Sequence, residues 1–206
     1  MKIDINNQLL VTMAFVSNFV PKTDIRHYLT NLYMEFDGKT CHVVGTNGHY
    51  MTVGEVDYKT DKKYTIMIPY DKIKPILEVG KKCKIVGDIV GHFEVDAEDD
   101  RRINFVGING DMVKFIRNSG SFVDWRKPIP KDDRPINITT KIGFNLEYLV
   151  TCQKAMKNAK AYLASSHNIF NLTTFQFGSS DKESVVVTYG DGCYSNLKTI
   201  IMPIYR

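Results

Sequence analysis

The chain has 206 residues, 43% apolar and 24% charged, with a formal charge of +4. Such a length and composition suit a globular protein with a real core in one large or two small domains, and no run approaches the roughly 18 apolar residues of a membrane-spanning helix. The opening Met1-Lys2-Ile3-Asp4-Ile5 lacks the layout of a secretory signal, and Cys41, Cys83, Cys152 and Cys193 stand far apart without metal-ligand spacing, so a cytoplasmic chain with reduced thiols, no metal and no cofactor is expected.

Read in chain order, a pattern of strand, helix and further strands repeats three times. The first unit opens with a strand at 2–6, where Ile3 and Ile5 alternate with polar residues. A helix over 8–20 follows, with Leu9, Met13, Val16 and Val20 on one face and Pro21 as its stop. Strands are expected at 26–36, 40–45 and 50–57, with Asp37-Gly38 and Asn47-Gly48 as turns. The second unit has a strand at 64–68, a helix from Pro69 to Leu77, and strands at 83–86, 92–96, 103–106 and 112–118. The proline-rich stretch 127–135 reads as a linker. The third unit has a strand at 138–144, Asn145 as N-cap of a helix over 146–160, and strands at 172–177, 184–189 and 197–202. The fold class is therefore α+β, with antiparallel sheets carrying helices on one face.

Six short segments carry a resemblance. They are Asp24-Ile25-Arg26-His27-Tyr28-Leu29, Met34-Glu35-Phe36-Asp37-Gly38 with Thr46-Asn47-Gly48-His49-Tyr50-Met51, then Phe122-Val123-Asp124-Trp125-Arg126-Lys127-Pro128-Ile129-Pro130, then Ile142-Gly143-Phe144-Asn145-Leu146-Glu147-Tyr148-Leu149, and Met202-Pro203-Ile204-Tyr205-Arg206. In order and spacing they resemble the DNA polymerase III beta subunit, the bacterial beta sliding clamp. The resemblance implies the DNA-clamp fold, with residues 1–128 similar to the family's complete middle domain, 129–135 a linker, and 136–206 similar to the second half of its last domain. A family protomer has six strand-helix-strands halves, and this chain offers three. Asn47 stands where the family has an acid and Tyr50 where it has Arg.

The implied function is that of a non-enzymatic processivity factor. Clamps encircle duplex DNA regardless of sequence and dock peptides of polymerase, clamp-loader or repair proteins. The positions matching the peptide pocket are Leu29, Thr46, Gly48, His49, Tyr50, Met51, Pro130, Met202, Pro203 and Ile204. Apolar walls with a few polar rim groups suit an anchor pocket. DNA contact is expected from Lys22, Arg26, His27, Lys72, Lys74, Lys154, Lys157 and Lys160, because basic helix faces attract phosphates without reading bases. No Gly-rich phosphate loop, H-E-x-x-H or G-x-S-x-G motif argues for catalysis. A relative that no longer closes a ring, and acts as an adaptor or decoy for clamp-binding peptides, is the alternative. The family ring holds twelve halves, so four chains would complete one; a trimer of two-domain protomers is the competing count, and the setting is a bacterial cell or a virus-infected bacterial cell.

Overall fold

A computed structural model describes residues 1–61, 63–83, 88–118, 120–130, 145–163, 173–177, 183–190 and 194–203. The first unit comprises β1 (Lys2–Asn6), α1 (Asn7–Val16), β2 (Asn31–Phe36), β3 (Thr40–Thr46) and β4 (Tyr50–Asp57). In β1, Ile3 and Ile5 are buried while Lys2 and Asp4 are exposed, as the alternation requires. The Asn6 carboxamide accepts the Leu9 backbone N–H at 2.8 Å and starts α1. Every residue of α1 from Leu9 to Val16 is buried, so this helix forms the centre of the core. It ends sooner than the pattern predicts. Ser17 donates to the Ala14 carbonyl and Asn18 to those of Ala14 and Phe15, and the chain tightens into a 3-10 turn over Ser17–Phe19. The strand expected from residue 26 likewise begins only at Asn31. Thr30 and Asn31 side chains both bond to the His27 carbonyl, closing a 3-10 turn over His27–Thr30.

The second unit comprises β5 (Tyr64–Pro69), α2 (Tyr70–Cys83), β6 (Ile89–Val95), β7 (Arg102–Gly107) and β8 (Met112–Ile116). Pro69 closes β5 instead of opening the helix, and α2 continues past Leu77 despite Pro75 within it. The extension is buried, through Val79, Gly80 and Cys83, and at Gly80 a Cβ would stand 2.6 Å from the Leu10 Cδ1, so α2 runs close against α1 there. Cys83 ends α2, which removes the start of the strand expected at 83–86; the rest of that strand, like the one at 138–144, lies outside the described residues.

The third unit comprises α3 (Leu146–Lys160), β9 (Thr173–Gln176), β10 (Val185–Tyr189) and β11 (Leu197–Ile201). Asn145 caps α3 as expected, accepting the Glu147 N–H at 2.9 Å. Among the described residues all strand pairings are antiparallel and build two sheets, β1-β6-β7-β8 and β5-β2-β3-β4-β11-β10-β9. The first two units exchange their opening strands: β1 pairs with β6, and β5 with β2. The third unit extends the larger sheet by pairing β11 with β4, and α3 packs beside α1. Beneath α3 the Thr52 and Thr199 hydroxyls share a hydrogen bond of 2.6 Å, and the Tyr189 hydroxyl meets Thr199 at 2.6 Å. Burial raises the Tyr189 hydroxyl pKa, so this buried polar chain stays neutral.

Candidate functional site

The turn between β3 and β4 is built by its own side chains. The Thr46 hydroxyl donates to the Tyr50 carbonyl at 2.8 Å and accepts from the Gly48 N–H at 3.0 Å. The Asn47 side chain accepts the N–H groups of His49 and Tyr50 at 3.0 and 3.2 Å. A carboxylate would serve there equally, so the change of the family's acid to Asn47 keeps the turn. Gly48 takes a φ of 88°, the left-handed conformation that favours glycine, and leaves His49 exposed at the tip.

Strand pairing brings the chain's last described residues to this turn. Tyr50 lies opposite Ile201 and Met51 opposite Ile200, and the Met202 N–H donates to the His49 carbonyl at 3.1 Å. Met202 and Pro203, both half-buried, therefore lie beside the 46–51 turn, and Ile204 lies outside the described residues. On the sheet face turned away from the helices, Val44, Met51, Val53, Ile200 and Trp125 form a second buried cluster, with Tyr33, Phe122 and Ile129 against it. Pro130, half-buried, follows Ile129 in the chain.

Two of the expected pocket residues stand elsewhere. Neighbours in a strand point to opposite faces, and the half-buried Tyr50 ring packs on the helix side, 5.5 Å from Phe19 and 4.8 Å from Tyr148. It cannot form one wall with Met51. Leu29 is 1% exposed and sits in the turn before β2, its N–H donating to the Arg26 carbonyl. Cavities of about 620, 860 and 350 Å³ are lined by other residues.

A strap over residues 121–130 holds the outer face. The Trp125 indole N–H donates to Glu35 Oε2 at 3.1 Å, while Arg126 makes two 3.0 Å bonds to the same carboxylate and lies 4.0 Å over the Trp125 ring. Phe122 stacks on Tyr33 at 4.5 Å, and Ser184 donates to the Pro128 carbonyl at 3.3 Å. Burial raises the Glu35 carboxyl, but the hydrogen bonds from Arg126 and Trp125 outweigh it and leave the pKa lowered. Of the strap only Pro130 was in the expected site; Phe122, Trp125 and Arg126 were absent from it, although the chain's single tryptophan beside an arginine was a usable signal.

The expected DNA contacts do not make one uniformly basic surface. Arg26 is held by both oxygens of Asp24 at 3.0 Å and donates to the Asn47 carbonyl at 3.0 Å, so it braces the turn. Its side-chain hydrogen bond lowers the Asp24 pKa to about 2. Lys72 pairs with Asp71 at 3.0 Å. Lys22, His27 and Lys154 are exposed, and Lys160 lines the groove beside α3. Lys74 and Lys157 share the rim of the 860 Å³ cleft between α1, α2 and α3, which Asp71 and Glu78 also line. Among the described residues, no three His, Cys, Asp or Glu side chains converge as metal ligands, and no helix is long and apolar enough to cross a membrane.

Comparison with solved structures decides the fold. The DNA polymerase III beta subunit of Pseudomonas aeruginosa superposes with a TM-score of 0.75 at 14% identity, covering 100% of this chain and 66% of that one. The chain has the fold of a beta sliding clamp. The Helicobacter pylori beta clamp bound to a DNA ligase peptide superposes at 0.66 with 14% identity, covering 100% of this chain and 66% of that one. In sequence, the chain is 28% identical to the Vibrio cholerae beta sliding clamp over 136 residues, which is 60% of this chain and 34% of that clamp. The match thus spans about a third of the curated relative. No family model matches the chain.

Proposed function

We propose that this protein is a non-enzymatic DNA polymerase processivity factor of the sliding-clamp type, which holds duplex DNA without reading its sequence and docks peptides of polymerase, clamp-loader and repair partners. The observation that carries this reading is the β4–β11 pairing, which sets the 46–51 turn beside Met202 and Pro203 at the edge of an apolar cluster. A solved relative of the same fold is bound to a DNA ligase peptide. The docking residues on this reading are Thr46, Gly48, His49, Met51, Pro130, Met202 and Pro203, with Ile204 next in sequence, and without Leu29 and Tyr50, which stand elsewhere. Residues 1–128 act as a full clamp domain and 136–206 as half of one, in the cytoplasm of a bacterial or virus-infected bacterial cell. Twelve units to a family ring and three to a chain favour four chains over three.

Peptides of the bacterial clamp-binding type are expected to bind with micromolar Kd, the range of short segments that order on binding. Deleting residues 202–206 should abolish that binding. Unchanged affinity in the truncated chain, or none in the intact one, would remove the pocket.

DNA association should be weak and salt-dependent. Charge reversal at Lys74, Lys154 and Lys157 is expected to lower it and flatten the plot of log affinity against log salt by about 0.9 per lost phosphate contact. An unaltered slope points to the second reading, an adaptor or decoy for clamp-binding peptides. The observation behind that reading is that Arg26 and Lys72 are already paired with Asp24 and Asp71.

A further inference from the structure

Residues 1–118 contain a template for how two units join. The helices α1 and α2 pack together, and the strand that follows each helix receives on its outer edge the opening strand of the other unit: β2 takes β5, and β6 takes β1. In the third unit β9, the first described strand after its helix, holds the place of β2 and β6. Among the described residues β9 pairs with β10 alone and ends the larger sheet.

The space beside α3 is open as well. A groove of about 620 Å³ runs between α3 and the helix-facing side of β9 and β10, lined by Leu146, Leu149, Val150, Met156, Phe175 and Val187. Leu146 is 69% exposed, Val150 43%, Phe175 36% and Phe177 37%. So many large apolar side chains gathered on one face, beside a strand edge unpaired among the described residues, mark an interaction surface.

We infer that this side of the third unit docks onto the third unit of a second copy of the chain, the two related by a two-fold axis. The inference deepens the assembly part of the proposed function and rests on it only for ring closure. The chain's own first and second units supply the argument, since they are two units of one order joined in this way about a local two-fold. A copy of the third unit carries the same apolar groove and the same β9 edge, unpaired among the described residues, which is the self-complementarity that a two-fold interface demands.

The other end of the chain offers a different kind of edge. β8 closes the second unit as β4 and β11 close theirs, and the β4–β11 pair shows that last strands join last strands. The β8 edge is therefore no match for β9. Copies meet third unit to third unit and second unit to second unit, an alternation that closes with an even number of chains. Four chains of three units fit the ring; three chains would force unlike edges together.

Native mass spectrometry and light scattering test this on the full chain of 23.5 kDa. The intact protein should give species of two and four chains. Val150→Glu and, on the opposite wall, Phe175→Glu should each raise the dissociation constant of the third-unit pair at least 100-fold, with circular dichroism and melting temperature close to the parent because both side chains are partly exposed. A three-chain species, a monomer at 50 µM, or an assembly insensitive to both substitutions would overturn the pairing. Peptide titration of the Val150→Glu chain keeps the two readings apart: docking should persist there, and its loss throughout would count against the pocket and leave the mass result standing.

Discussion

Replacing Phe15 by alanine is expected to lower the unfolding free energy by about 3–5 kcal/mol, the range for a fully buried aromatic ring that leaves a cavity. Phe15 is 0% exposed and stands where α1 meets the third unit, with ring centroids 5.7 Å from Phe19, 4.9 Å from Tyr189 and 5.6 Å from Tyr194. Those last two contacts tie residues far apart in sequence, so the loss should fall on the joint between units. Urea denaturation measures the change, and hydrogen exchange should show β10 and β11 losing protection first. Because domains hold only about 5–15 kcal/mol in total, one substitution removes a large fraction. A loss below about 1.5 kcal/mol would mean that α1 does not carry the third unit.

Trp125→Ala should cost about 3–4 kcal/mol and also weaken peptide docking about tenfold or more. The indole is 4% exposed, fills the outer-face cluster with Met51 and Ile200, and positions Arg126 on Glu35. Without it the strap that carries Ile129 and Pro130 loses its anchor. Trp125→Phe separates the two contributions, since it keeps most of the apolar area and gives up the hydrogen bond to Glu35, for about 1 kcal/mol. If Trp125→Ala destabilises the chain and leaves peptide affinity untouched, the strap is structural support and no part of the docking wall.

How much was legible in the sequence follows the range of the forces involved. The α3 helix was readable to its ends because Asn145 caps it locally, and β4 because turn residues and alternation bound it on short range. α2 was read too short because its last turn is held by the burial of Val79, Gly80 and Cys83, a tertiary contact. The strand expected from residue 26 was read too long because side-chain bonds to the His27 carbonyl compete with the sheet. In the site, the meeting of the two pocket walls came from resemblance alone, since the β4–β11 pairing spans well over a hundred residues. The misplacement of Tyr50 was avoidable, because adjacent residues of one strand cannot share a face.

The exchanged opening strands also set an order on synthesis. Ile3 finds its partner in Phe93, so at roughly 5–20 residues per second β1 leaves the ribosome roughly 5–20 s before β6 exists to receive it. Through most of that interval α1, whose residues Leu9 to Val16 are all buried in the folded chain, has neither α2 nor α3 to cover it. The nascent chain is most exposed to aggregation before its first ninety-five residues are complete, and a holding chaperone at that stage would act on Leu9 to Val16 above all.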